Sequence, residues 1–199
     1  MKSKLPFIVL TVTLIVIYWQ WFVPGVRVAN DFPVVSKDVL DSSLDFPYAW
    51  LEKGAEGLGE YSSFFLWGWP LNFISGVFSK VGLSFAILER FLLTAALIFG
   101  AVGIWKLSEN FKLSNFSKLA SSIFYLANTY VILLIDGGQL SVALAYCFFP
   151  LTFYAIEKSI NSDYSKKILA GLSITVLGFF DFRFIYILLL LCLISLWLI

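Results

Sequence analysis

Histidine is absent from the 199 residues. That excludes imidazole acid–base chemistry and the usual zinc sites. Carboxylates, Lys, Arg, Tyr and main-chain groups are left to carry any reaction. Charge is scarce too, at 14% of residues against about 25% in an average globular chain. The net charge of +1 comes with no basic excess or stripe, which excludes a nucleic-acid reader. The two cysteines, Cys147 and Cys192, lie inside apolar runs. They form neither a CxxC pair nor a disulfide framework, and their reading is core packing.

What is present is apolar. The chain is 60% hydrophobic and 19% aromatic, with a mean hydropathy of +0.88. This is the composition of an integral membrane protein. A span needs roughly 20 apolar residues, and the runs predict about six, near 5–23, 83–105, 118–135, 140–156, 168–180 and 184–199. The first follows Lys2 and Lys4 as a signal peptide would. It ends in "YWQWFVPG", an aromatic belt and not a small-residue cleavage site, so it reads as a retained anchor. "DGGQ" (136–139) and "DFR" (181–183) read as tight turns. The fold expected is an all-α, polytopic transmembrane helix bundle, one domain over 1–199. The chain stops in "LLLLCLISLWLI" without a basic stop, which reads as the N-terminal part of a longer protein.

Charge placement gives an orientation. The N-terminus, the loop after span two and the loop after span four carry eight basic and three acidic residues. The alternate segments carry six basic and ten acidic residues. The positive-inside rule makes the first set cytoplasmic. The expectation is a multi-pass plasma-membrane protein, N-terminus cytoplasmic, with the 24–82 loop extracytoplasmic.

That loop is long and rich in Trp, Phe, Tyr and Leu, so it reads as folded. "SKDVLDSSLDFPYAWLEKG" predicts a short helix or turn beginning near Ser36, with Val39, Leu40 and Leu44 on its apolar side. "FFLWGWPLNFISGVF" (64–78) is apolar but short and is interrupted by Gly68 and Pro70. It reads as surface-lying or re-entrant, with Trp67 and Trp69 at headgroup level. "EKGAEGLGE" (52–60) lacks the strand-then-helix context of a dinucleotide site and reads as a turn.

Several charged residues are candidates for chemistry. Asp31 follows the first span closely, beside Phe32 and Pro33, a partly apolar setting that makes a carboxylate a stronger base. A cap or turn is its structural alternative. Asp45 shares the Phe-Pro context. Asp38 and Asp41 lie in a more polar stretch and read as solvated or capping. Asp136 sits in a Gly turn. Arg183 stands two residues from Asp181, as an anchoring ion pair or as a phosphate contact. Glu89 and Arg90 fall inside span two, where charges are costly and often functional, although snorkelling is within reach.

"ANDFP", "YAWLEKGAEGLGEYSSFFLWGWPLNFI", "LERFLLTAALIFGAVGIWKL" and "YLANTYVILLIDGGQLSVALAYCFFPLTFYAIEK" together resemble, in layout over nearly the whole chain, the GT-C class of integral membrane glycosyltransferases. The closer likeness is to its YfhO-like and arabinofuranosyltransferase-like branches. The resemblance implies transfer of a sugar from a polyprenyl-phosphate donor to a glycan, lipid or protein acceptor outside the cytoplasm. It assigns the general base to Asp31 and a second acid or metal contact to Asp45 or Asp136. The phosphate falls to Arg183 or Arg90. Some members hold a divalent cation, but no DxD motif stands here. Two other classes compete: a lipid or glycan transporter or flippase, suggested by Glu89, Arg90 and Pro150, and a non-catalytic membrane subunit.

Overall fold

The computed structural model describes residues 4–25, 40–41, 44–45, 50–51, 60–61, 64–160 and 162–197. Asp31, Asp38 and Val39, with the 52–59 stretch read as a turn, lie outside them.

Among the described residues the structure is all-helical apart from a two-residue antiparallel ladder, in which Trp50 (β1, Trp50–Leu51) faces Tyr61 (β2, Glu60–Tyr61). Helix α1 spans Leu5–Tyr18 and tightens into a 3-10 turn at Trp19–Phe22. Then follow α2 (Phe64–Lys80), α3 (Phe85–Asn110), α4 (Asn115–Leu126), α5 (Thr129–Asp136), α6 (Leu140–Ser159), α7 (Tyr164–Phe180) and α8 (Arg183–Trp197). Among the described residues four stretches are long and apolar enough to cross a membrane: Leu5–Phe22, Phe85–Asn110, Asn115–Asp136 and Leu140–Ser159. Of the six spans expected, these four are the ones that meet that length among the described residues. The run expected as span five belongs to α7, of 17 residues, whose first turn is "YSKK". Span six is α8, described over 15 residues. Helix α7 falls short of the roughly 20 that a perpendicular crossing needs.

Pro70 does not interrupt α2, which runs straight through it as a 17-residue helix. Leu40, Asp41 and Leu44 pack on this helix. A Cβ on Gly76 would stand 2.8 Å from the Leu40 carbonyl oxygen and 2.9 Å from the Leu44 side chain. Asp41 accepts a hydrogen bond from Ser79 at 3.0 Å and pairs with Lys80 at 3.7 Å. Leu40 is buried in the core, as expected of an apolar side there.

The core forms where α3 meets α6. A Cβ on Gly103 would come within 2.5 Å of the Leu151 nitrogen, and one on Gly100 within 3.2 Å of the Cys147 carbonyl. Without side chains at these two positions the backbones close up, as small residues allow in membranes. Cys147 is fully buried in this contact, as its core-packing reading expects.

Three of the turns are built on left-handed residues. Gly82 (φ 79°) and Gly138 (φ 81°) end α2 and α5, and Lys112 (φ 53°) ends α3. Each is followed by a residue whose N–H reaches back across the last turn: Leu83 to Phe78, Gln139 to Leu134, Leu113 to Ser108. This is the Schellman closure. Ser114 then caps α4, accepting from Ser117 N–H at 3.1 Å. Such short reversals bring Asp41, Arg90, Asp136 and Arg183 to one end of the bundle. Lys106, Lys112, Lys118, Lys158, Lys166 and Lys167 come to the other.

Candidate functional site

At the Lys-poor end, Asp181 and Arg183 join α7 to α8. The Asp181 carboxylate accepts from the Arg183 main-chain N–H at 2.8 Å, which closes the first turn of α8. It also takes Nε at 3.0 and 3.1 Å and Nη2 at 2.6 Å from the Arg183 guanidinium. Exposure divides the pair sharply, with 4% for the Asp181 side chain and 73% for Arg183. A buried carboxylate therefore anchors an outward guanidinium, whose fork suits phosphate. The anchoring ion pair read from the sequence is present, and the guanidinium it orients faces outward. Tyr130, half exposed on α5, stands within electrostatic reach of Arg183.

Asp136 is the last residue of α5 and is exposed. The turn after it closes on main-chain bonds from Gly137, Gly138 and Gln139. An acid at a helix C-terminus opposes the helix dipole. Asp45 is also exposed, and its carbonyl accepts from Trp69 Nε1 at 2.8 Å. Among the described residues no three carboxylate or thiol side chains gather as a metal site would require.

Arg90 has a different task. Its guanidinium donates to the carbonyls of Trp21, Val23 and Gly25 at 3.3, 2.7 and 2.9 Å. These are carbonyls that the end of the first span leaves without helical donors, so Arg90 pins that end to α3. Glu89, its neighbour, is fully buried.

A second polar feature lies inside the bundle. The third apolar stretch breaks at Ala127 and Asn128, between α4 and α5. A break in an apolar span frees carbonyls that must find other donors. Asn128 Nδ2 donates to the Tyr125 carbonyl at 2.7 Å and to that of Phe124 at 3.3 Å. Its Oδ1 caps α5 through Val131 N–H at 3.1 Å. The Tyr18 hydroxyl, from α1, donates to the Leu126 carbonyl. Tyr146, from α6, adds its hydroxyl to the Tyr125 carbonyl at 3.2 Å. Two helices and Asn128 itself thus supply the donors that a continuous helix would have made for itself. The sequence expectation of an unbroken span over 118–135 missed this. The available signal was "NT" at 128–129, a helix-capping residue inside an apolar run.

The cluster extends outward, because the Tyr130 ring packs on Tyr146 at 5.4 Å and Tyr130 neighbours Arg183. Polar and aromatic groups therefore connect the Lys-poor surface to the helix break. No protein-family model, curated protein or solved structure matches this chain.

Proposed function

We propose that the chain forms part of a membrane glycosyltransferase that takes a sugar from a polyprenyl-phosphate donor at its Lys-poor face, the extracytoplasmic side by the positive-inside rule. One observation carries the reading: the exposed Arg183 guanidinium, anchored on buried Asp181 at a bundle end that also presents Asp136. Arg183 would hold the donor phosphate and Tyr130 would flank it. Asp31 would take the proton of the acceptor hydroxyl as the new glycosidic bond forms and the polyprenyl phosphate leaves. Asp45 or Asp136 would supply a second acid. The two apolar helices α7 and α8 would complete the six-span layout by tilting, or with the bilayer thinned around them.

The test is sugar transfer by the full-length protein in lipid vesicles. Asp31→Asn is expected to abolish transfer with the fold retained, and Arg183→Ala to raise KM for the lipid-phosphate donor. Full activity in both variants would remove the assignment.

A second reading has its own observation. The helix break at Ala127–Asn128 and the fully buried Glu89 suit a transporter or flippase, since such proteins place broken helices and ionisable groups in their spans. Movement of a labelled lipid-linked glycan across vesicles, without sugar transfer, would favour it.

A further inference from the structure

An elongated groove of about 830 Å³ opens between α1 and α3. It exists because α1 packs mainly against α4, leaving a gap alongside α3. Its walls are apolar over most of their length: Leu10, Leu14 and Ile15 on one side, Leu97, Ile98 and Val102 on the other. Its last turn, at the Lys-rich end, is not. There Lys106, Glu109, Asn115 and Lys118 line it. From Thr94 to Glu109 the wall runs about 22 Å at 1.5 Å per residue, which is longer than half of the roughly 30 Å hydrocarbon core.

The polar end is organised. Glu109 draws both ammonium groups together, Lys106 at 3.0 Å and Lys118 at 3.9 Å. Lys118 is only 13% exposed and lies over the Trp105 ring at 5.6 Å. Trp105 is held in turn by Phe7 at a ring distance of 4.3 Å. Two cations and one carboxylate leave a single net positive charge at the mouth of an apolar channel. A phosphodiester carries one negative charge, and an acyl chain supplies the apolar length. A soluble anion would leave the groove empty, and a neutral hydrocarbon would leave the charge unmatched.

We infer that this groove holds an anionic phospholipid, one acyl chain lying between α1 and α3 and the phosphate on Lys106 and Lys118. The site stands at the end of the bundle opposite to Arg183 and does not rest on the glycosyltransferase reading. It assigns to Lys106 and Lys118 a role in lipid selection.

Native mass spectrometry of the full chain, released from nanodiscs of phosphatidylglycerol and phosphatidylcholine, tests this. One retained phosphatidylglycerol is expected, preferred over phosphatidylcholine by roughly fivefold, as one net positive charge near a headgroup would give. Lys106→Gln with Lys118→Gln should bring that preference close to unity. Val102→Phe, which leaves every charge in place and fills the channel, should lose retention of both lipids. Equal retention of the two lipids by the unaltered protein would overturn the proposal. So would an unchanged preference in the double variant, unchanged retention in Val102→Phe, or displacement of the lipid by glycerol phosphate alone.

Discussion

Tyr125 and Tyr146 each donate a hydroxyl hydrogen bond to the other's main-chain carbonyl, at 2.8 and 3.2 Å, with their rings stacked 4.4 Å apart and inclined by 7°. The reciprocity has a cause on each side. The Tyr146 carbonyl would normally accept from the N–H four residues on, but that residue is Pro150, which has none. The Tyr125 carbonyl is freed by the break after α4. Each tyrosine fills the vacancy that the other's helix creates, and together they tie α4 to α6.

This relationship predicts a coupling. Tyr125→Phe removes the donor to Tyr146 and should destabilise the fold by about 1 kcal/mol, the usual worth of one such bond. In a Pro150→Ala background residue 150 regains an N–H, so the same substitution should cost markedly less. Unfolding in mixed detergent micelles, run as a double-mutant cycle, measures the difference. Equal costs in both backgrounds would mean that the proline is not the reason for the bond.

The approach of α3 to α6 predicts a contrast between glycines. At Gly103 an added Cβ would meet the Leu151 nitrogen at 2.5 Å, and main chain cannot move aside as a side chain can. Gly103→Ala should therefore destabilise by about 1–3 kcal/mol through overpacking, and Gly103→Leu should prevent folding. At Gly171 an added Cβ meets nothing within 4 Å. Gly171→Ala should leave stability unchanged or raise it by up to about 1 kcal/mol, because alanine is the better helix former. Comparing detergent-extracted yield and unfolding midpoint of the three variants checks the contrast.

The Asp181–Arg183 pair predicts a separation of stability from function. Asp181 has two tasks, closing the first turn of α8 and holding the guanidinium. Asp181→Ala should cost about 1–2 kcal/mol, as lost helix caps do. Asp181→Asn keeps an oxygen for the Arg183 N–H and should cost less than half as much. It would still leave Arg183 without its charged anchor. Arg183→Ala should disturb donor binding more than unfolding, since its side chain is mostly exposed. If Arg183→Ala unfolds the protein as readily as Asp181→Ala does, the guanidinium is structural and the phosphate role fails.

Much of the bundle was legible because long apolar runs and Gly turns carry their own physics. The stretches expected near 83–105 and 140–156 are the helices Phe85–Asn110 and Leu140–Ser159, and "DGGQ" closes as a tight turn. What was not legible depended on partners distant in sequence. The break at Asn128 is tolerable in part because Tyr18, 108 residues before Leu126, reaches the Leu126 carbonyl. The sequence left Arg90 between snorkelling and phosphate binding, because the carbonyls of Trp21, Val23 and Gly25 come to it only through the fold. Pro70 looked like an interruption, yet α2 runs through it. The Asp181–Arg183 pair was visible as a spacing of two, but its asymmetry of burial was not, since that depends on what covers Asp181.

The three Schellman turns predict a stabilising substitution. Gly82 and Gly138 adopt the left-handed conformation without a Cβ, whereas Lys112 adopts φ 53° with one. A side chain in that region crowds its own carbonyl and costs roughly 1 kcal/mol. Among the described residues Lys112 bonds only through its main-chain N–H, to the Glu109 carbonyl at 3.0 Å, which does not offset this cost. Lys112→Gly should therefore raise stability by up to about 1 kcal/mol, less a part returned by the greater freedom of glycine in the unfolded chain. Gly138→Ala places a Cβ in the same conformation and should lower stability by a similar amount. Both are read from unfolding midpoints in one detergent. Opposite signs would show that turn conformation governs both reversals. A destabilised Lys112→Gly would show instead that the ammonium group itself matters at this end of the bundle.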